Sequence, residues 1–554
     1  MILEKTWVAL YKSAKPKSLE QVKKILKKNR GLKEENLKIK EIISNPKKAE
    51  IGIEEIEKFA QLITKIKENN KKILIHGDYD VDGITSTAIF FEFLERIGFD
   101  KENIHTFIPN RFKHGYGLSK ESLEHLLKTE NPKDTPLIVL VDCGITSHKN
   151  ISTLEKKGFK VAVIDHHTLK EKKPKASYIF WNKKITASAL TYLVTSLLEI
   201  KINKYTDINK SVDLAALGYV ADLGNLKDPI GRAITKKGLY IFNKAIRPNI
   251  KALLKKEKNI TTFDLGWIIG PRINAAGRID SPQKALNLIL EKEFNNINKM
   301  SYEIEKLNTL RQKDTKEMFE QALVGVSNKK YPGLGDNEKI IIVHSKEFHE
   351  GIIGLISSRL KQYFFKPAIC ISWEGDIGKG SCRSIPGVNI VDILKKTSTL
   401  LENFGGHSQA AGFTILKKNF EDFESKILDI TDKDIPKSAL IPKIEYDLNL
   451  ERDLIKKELL GIISELEPFG NGNPEPLFVT ENLVIKEIKI LGKEQQHLKL
   501  LFEELEIPAI YFNGTKNKAP LNKGDNIKIL YSLNENHWQG NTYLQIKIND
   551  VKKM

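Results

Sequence analysis

Residues 72–83 read K-I-L-I-H-G-D-Y-D-V-D-G. A short apolar run ends at His76, and aspartates follow at alternate positions, Asp78, Asp80 and Asp82. The next segment, I-T-S-T-A-I-F-F-E-F-L-E-R-I at 84–97, has the length and period of a helix. Strand, acidic turn and helix make the first half of a βαβ unit. The pattern recurs further along: L-I-V-L-V at 137–141 runs into Asp142, and K-V-A-V-I at 160–164 runs into Asp165, His166 and His167. Helical patterns at 119–128 and 148–157 separate these runs. Near-continuous apolar strands alternating with helices predict a parallel sheet covered on both faces. In such a sheet ligands bind beyond the carboxyl ends of the strands, so these acids and histidines should meet at one place.

Taken singly, each has an ordinary structural use: an aspartate in a glycine turn, a helix cap, a core histidine. Together they make a physical demand. Clustered carboxylates repel one another and raise each other's pKa, and cations relieve this. Oxygen and imidazole ligands suit Mn²⁺ or Mg²⁺. The set exceeds the needs of one ion, and two metals about 3.5–4 Å apart serve phosphoryl hydrolysis. D-Y-D-V-D-G also matches the start of a calcium loop, but Ile89 stands where that loop needs a glutamate.

The 554 residues are enough for several domains, and 40% hydrophobic with 29% charged residues is a globular composition. Cys143, Cys370 and Cys382 are too few and too scattered for a disulfide framework or a cysteine-built zinc site. No apolar run has the length of a membrane span and no secretory leader is visible, so a cytoplasmic protein is expected. A net charge of +18 suits a polyanionic partner. The basic run K-K-I-L-K-K-N-R-G-L-K lies at 23–33.

Helical texture dominates from about 186 to 325. Ile297, Met300, Ile304 and Leu307 set a helical seam that turns polar at Arg311 and Asp314, as in a helix bridging domains. A second α/β texture starts with K-I-I-I-V at 339–343. Five alternating segments after residue 440 predict a small antiparallel barrel or sandwich.

The strand-end set resembles the DHH phosphoesterase superfamily, named for the Asp-His-His found here at 165–167. D-Y-D-V-D-G (78–83), D-C-G (142–144) and A-D-L-G (221–224) match its other motifs, the last supplying Asp222. Further segments resemble the RecJ exonucleases of that superfamily along essentially the whole chain. They are P-N-R-F-K-H-G-Y-G-L (109–118), G-P-R-I-N-A-A-G-R (270–278), L-N-T-L-R (307–311), H-E-G-I-I-G (349–354), S-C-R-S (381–384), G-G-H-S-Q-A-A-G (405–412) and P-F-G-N-G-N-P-E-P (468–476).

The resemblance implies an α/β chain of five parts. These are a basic N-terminal segment (1–50), a DHH-type parallel-sheet catalytic domain (51–295), a long connecting helix (296–328), a DHH-associated α/β domain (329–439) and an OB-fold β-barrel (440–554). It implies a 5′→3′ exonuclease that degrades single-stranded DNA to 5′-mononucleotides with two Mn²⁺ or Mg²⁺ ions, in DNA repair and recombination. One ion would take His76, Asp80 and Asp142; the other would take Asp82, Asp142, His166 and Asp222. Asp78 and Asp165 would orient ligands, and His167 would contact the scissile phosphate. Arg111, Tyr116, Arg272, Asn274, Arg278 and Arg311 are candidates to track the strand. Ser381, Arg383, Ser384, Gly405, Gly406 and His407 would form a phosphate pocket suited to a 5′ end.

Tyr511, Phe512, Tyr531, Trp538 and Tyr543 are available for base stacking on the barrel, although strand aromatics usually pack inward and residues 440–554 carry a net charge of −2. The resemblance further implies a monomer in a bacterial cytoplasm, associated with the nucleoid when on DNA, with a single-strand-binding protein and a RecQ-like helicase as partners. Two other readings compete. One is a small-substrate phosphoesterase of the same superfamily, an oligoribonuclease or cyclic-dinucleotide phosphodiesterase. The other is a non-catalytic single-strand-binding scaffold like the Cdc45 relatives. The barrel and connecting helix argue against the first, and the intact ligand set against the second.

Overall fold

The computed structural model describes residues 5–32, 37–169, 172–254, 259–335, 338–516, 520–538 and 541–554. The chain forms two compact units. One comprises Arg30–Thr309 with Leu466–Glu475; the other comprises Met1–Asn29, Leu310–Glu465 and Pro476–Met554.

The first unit is built on a five-stranded, wholly parallel sheet. Its strands are β1 (Ile73–His76), β2 (Ile104–Phe107), β3 (Leu137–Val141), β4 (Lys160–Asp165) and β5 (Tyr178–Trp181), in the order β2-β1-β3-β4-β5. The expected central strands are present, and β2 and β5 extend the sheet at its edges. Alternation explains why the central strands are apolar throughout. Ile73, Ile75, Val139 and Ile164 enter one core, while Leu74, Ile138, Leu140 and Val163 enter a second core on the opposite face.

Helices α1 (Val81–Arg96), α2 (Ala187–Asn203) and α3 (Val212–Ala221) pack together on the first face. They are buried almost all round, so their hydroxyl residues satisfy themselves locally: Thr85 donates to Val81 O (2.7 Å) and Thr87 to Gly83 O (2.8 Å). Arg247 ties α1 to α3 through Glu92 and Asp213. A single π-turn at Asp264–Ile269 leads into α4 (Gly270–Ile279).

Helix α5 (Phe294–Ser327) is 34 residues long, and the division between units falls within it, between Thr309 and Leu310. The second unit has a five-stranded sheet in the order β9-β10-β8-β7-β6. These strands are β6 (Ile341–Ser345), β7 (Ala368–Glu374), β8 (Ile377–Arg383), β9 (Leu401–His407) and β10 (Ala410–Leu416). Only the β6–β7 pair is parallel. Helix α6 (Ile353–Phe364) packs on β7 and β8.

The same unit carries a closed ring of strands: β11 (Phe478–Leu491), β12 (His497–Phe502), β13 (Ala509–Tyr511), β14 (Asn526–Trp538) and β15 (Asn541–Lys553). The ring closes through β11–β14, and its one parallel pair is β13–β15. The strands form the closed barrel that the sequence predicts, and their odd number forces at least one parallel neighbour in the ring. Near the other terminus, Thr6–Ala9 pairs in parallel with Lys443–Tyr446. The basic run is partly neutralised, since Lys23 meets Glu465 at 2.8 Å.

Candidate active site

Backbone geometry delivers each candidate side chain. β1 ends at the buried His76, whose Nδ1 lies 3.0 Å from Gly77 O. The turn that follows doubles back so tightly that a Cβ on Gly83 would lie 2.5 Å from the Asp78 backbone. Asp80 caps α1 by accepting from Gly83 N at 3.1 Å. Asp82, in the first turn of the helix, accepts from Ala187 N (2.7 Å) and Ser188 N (3.0 Å) at the start of α2. Two helix N-termini therefore hold the acids of one turn. Asp142 follows β3 in a left-handed conformation with φ of 59°. Asp165 ends β4 and accepts from Ile145 N (2.9 Å), His166 N (2.7 Å) and His167 N (3.1 Å). Asp222 caps the carboxyl end of α3.

These strand and helix ends converge as expected. Asp82, His166 and Asp222 form one close group of potential ligand atoms, Asp78, Asp80 and Asp142 a second, and Asp142, His166 and His167 a third. His166 Nε2 lies 3.2 Å from Asp142 Oδ1, 3.6 Å from Asp222 Oδ2 and 3.8 Å from Asp82 Oδ2. Asp142 belongs to two groups, which suits a ligand shared between two ions. Among the described residues, His76 Nε2, Asp78 Oδ2 and Asp142 Oδ1 are buried without hydrogen-bond partners. Such atoms are costly to bury, and a divalent cation satisfies them. The residues present fit the metals that the sequence implies.

The electrostatics agree. Burial, and then the neighbouring Asp80, pushes Asp78 up to about 8. Burial, with repulsion from Asp82 and other acids of the cluster, raises Asp80, Asp142 and Asp222 as well. Burial lowers His76 to about 4 and also lowers His166, keeping both imidazoles neutral as ligands must be. His167 goes the other way. Burial alone would lower it, but its hydrogen bond to Asp165 (Nδ1 to Oδ1, 2.7 Å) and that residue's charge push it up to about 9. Its Nε2 meets the Tyr116 hydroxyl at 2.7 Å. Asp165, His167 and Tyr116 thus form a chain beside the acid–histidine cluster.

The predicted strand-tracking residues divide. Arg111 lies over the Tyr79 ring at 4.9 Å, and Arg278 also acts on Tyr79, so both sit beside the D-Y-D turn. Arg272 is committed elsewhere: it pairs with Glu305 (2.7 Å) and donates to Ile268 O (2.9 Å). Asn274 is partly buried in the same helix, α4. Arg311 lies on α5 within the second unit.

In the second unit, Arg383, Ala410 and His407 are register neighbours across β8, β10 and β9. Ser381 Oγ accepts from Arg383 Nη1 at 3.3 Å. A Cβ on Gly354, in the first turn of α6, would lie 3.1–3.2 Å from both side chains. Arginine, hydroxyl and helix N-terminus therefore gather at one point. Gly406 continues β9 with φ of 141°, where a Cβ would lie 2.4 Å from Ala410 O, while at Gly405 it would meet open space. Ser384 differs from its neighbours: it is fully buried and donates to Val388 O at 2.7 Å, a turn contact. On the barrel, Tyr531 is buried against Thr480, Tyr511 is half-buried, and Phe512 and Tyr543 are exposed. The Trp538 side chain lies outside the described residues.

Sequence reading missed the groups that orient the ligands: the amides of Ala187 and Ser188 on Asp82, of Ile145 on Asp165, and of Gly117 on Asp78 (3.3 Å). Backbone donors carry no side-chain signature. The only trace is the small, hydroxyl-bearing Thr-Ala-Ser at the start of an apolar helix.

Three family models match this chain: "DHH family, N-terminal domain" at 72–220, "DHHA1 domain" at 337–433 and "RecJ OB domain" at 446–550. A single-stranded-DNA-specific exonuclease RecJ from Bacillus subtilis is 29% identical over 513 residues, covering 89% of this chain and 62% of that protein. The protein of the same description from Salmonella typhimurium is 30% identical over 534 residues, covering 90% of each. Among solved structures, RecJ in complex with Mn²⁺ from Thermus thermophilus aligns with a TM-score of 0.82 at 24% identity, over 99% of this chain and 79% of that one. An exonuclease RecJ bound to manganese aligns with a TM-score of 0.57 at 29% identity, over 69% and 95%.

Proposed function

The chain belongs to the RecJ family, and from that premise we propose that it is a metal-dependent exonuclease acting on single-stranded DNA in the 5′→3′ direction and releasing 5′-mononucleotides. Convergence of Asp80, Asp82, Asp142, His166 and Asp222 carries this reading, with His76 Nε2 and Asp142 Oδ1 buried and lacking partners. His76, Asp80 and Asp142 would hold one divalent ion, and Asp82, Asp142, His166 and Asp222 a second. When bound, the ions would supply Lewis acidity toward phosphoryl oxygens and acidify the attacking water.

The protein's own groups do the rest. Asp165 holds the His167 ring and keeps a proton at Nδ1. With the ring protonated, Nε2–H points at Tyr116, and an entering phosphate oxygen would compete for that donor as charge develops on it. Asp78 takes the Gly117 amide and stiffens the turn that presents Asp80 and Asp82. Arg111 and Arg278 would steer the strand's phosphates toward that turn. Arg383, Ser381 and the start of α6 would bind a further phosphate of the strand, the 5′ end in our reading, by charge-assisted hydrogen bonds.

A cytoplasmic monomer working in repair and recombination, with a single-strand-binding protein and a RecQ-like helicase as partners, completes the proposal. Among the described residues no helix is long and apolar enough to cross a membrane.

Digestion with Mn²⁺ of single strands labelled at the 5′ or the 3′ end, beside the matching blunt duplex, tests the polarity. The expected result is immediate release of 5′-labelled mononucleotide, gradual shortening of the 3′-labelled strand and an intact duplex. Hydrolysis confined to fragments of two to five nucleotides would instead place the protein among small-substrate phosphoesterases.

A further inference from the structure

The P-F-G-N-G-N-P-E-P segment stands just before the barrel in sequence, yet Leu466–Glu475 packs with the unit that holds the metal ligands. The loop first closes on itself. Gly470 and Asn473 exchange backbone hydrogen bonds of 2.9 and 3.1 Å. The fully buried Asn473 donates from Nδ2 to the carbonyls of Leu466 and Pro468, both at 2.8 Å. Three side chains then fasten it. Arg232 donates to Leu466 O (2.8 Å) and Glu467 O (2.6 Å), Thr262 to Phe469 O (2.6 Å) and Arg30 to Pro474 O (3.0 Å).

The tip of this loop, Asn471-Gly472, meets the turn that follows Asp222. Asn471 Nδ2 donates to the Leu223 carbonyl, and Leu226 N donates back to Asn471 O at 2.8 Å. Gly472 has φ of 78°, and a Cβ there would lie 1.9 Å from Asn225 Oδ1, so the approach requires glycine. The turn needs such support. Asp222 caps a helix end, and its side chain is 36% exposed, against 3% or less for Asp82 and Asp142. Leu223 has φ of 58° and a 70% exposed side chain, so core packing does not hold it. The turn's own bonds, Leu223 N to Val220 O (3.2 Å) and Gly224 N to Tyr219 O (2.8 Å), close it on the helix side, and Asn471 takes the outward Leu223 carbonyl.

We infer that Asn471 is a positioning residue for the metal centre: by holding the Leu223 carbonyl it aims Asp222, and so sets the affinity of the ion that Asp82, His166 and Asp222 would share. The inference rests on the two-metal reading above.

Titration of the metal-free, full-length protein with Mn²⁺ tests it, by calorimetry and by electron paramagnetic resonance counting of free ion. Variants are Asn471→Ala, Asp222→Ala and Thr262→Val, the last removing a loop anchor that does not touch the Asp222 turn. Asn471→Ala should bind one ion as the wild type does and the other roughly 10–100-fold more weakly. Its metal-free melting temperature should stay near that of Thr262→Val, which should bind both ions normally. Excess Mn²⁺ should restore hydrolysis in Asn471→Ala and not in Asp222→Ala. Wild-type affinity for both ions in Asn471→Ala, with one ion lost in Asp222→Ala, would overturn the inference alone. Equal weakening in Thr262→Val would overturn it too, by showing that the loop need only be folded. Two normally bound ions in Asp222→Ala would overturn the two-metal assignment beneath it.

Discussion

Asp165 gives two adjacent histidines opposite characters. It grips the His167 ring through Nδ1 and leaves His166 to face the acids of the cluster, so one imidazole is raised to about 9 and its neighbour is lowered by burial. The variants should separate accordingly. His166→Ala should lose one Mn²⁺ by titration and with it all hydrolysis. His167→Gln should keep both ions while kcat falls by roughly 10²–10³-fold, the cost of removing one donor to developing charge. Loss of an ion in His167→Gln would move that residue among the ligands. At this scale the cluster of acids and histidines was legible because such residues at successive strand ends have no common structural reason to coincide. Their supports were not: Asn471 and Leu223 are 248 residues apart, and backbone amides look alike at every position.

Among the elements, the central strands were legible for a physical reason: each is covered on both faces and so reads as an unbroken apolar run. The edge strands β2 (I-H-T-F) and β5 (Y-I-F-W) are half-exposed and four residues long, and they leave no such trace. The contacts between helices were hidden as well. Arg247 joins α1 to α3 by meeting Glu92 and Asp213 together. Burial alone would raise the Glu92 carboxyl, but the Arg247 charge and hydrogen bond outweigh it and hold it below its ordinary range. A depressed pKa contributes stability above the unfolded value and loses it as pH falls through the folded one. Arg247→Met removes that gain and leaves Glu92 buried without its cation. The variant should be destabilised by about 3–5 kcal/mol at pH 8 and by less at pH 5, where Glu92 can take up a proton. Thermal unfolding at both pH values checks this; an equal penalty at each would mean that lost packing, not charge, sets the cost.

For the molecule as a whole, charge is unevenly spent. The chain carries +18, while residues 440–554 carry a net −2. Affinity for single strands should therefore depend mainly on the remaining residues. The logarithm of the binding constant should fall with the logarithm of salt at about −0.7 per phosphate neutralised. Fluorescence anisotropy with a labelled oligonucleotide, in Ca²⁺ to block hydrolysis, measures that slope. A truncation ending before residue 440 serves only where circular dichroism shows it folded, and it should keep most of the slope. Loss of the slope would assign the electrostatic grip to the barrel.

Thr6–Ala9 finds its partner at Lys443–Tyr446, and the Asp222 turn finds its brace at Asn471. Both pairings join residues of the first half to the last quarter of the polypeptide. A ribosome adding about 5–20 residues per second reaches those partners roughly 20–90 s after making the first strand. Between the synthesis of Asp222 and that point, the nascent chain holds the proposed ligand set without the loop that contacts the Leu223 carbonyl. A chain cut short between Asp222 and Leu466 would emerge with the proposed ligand set and without Asn471 to hold the Leu223 carbonyl.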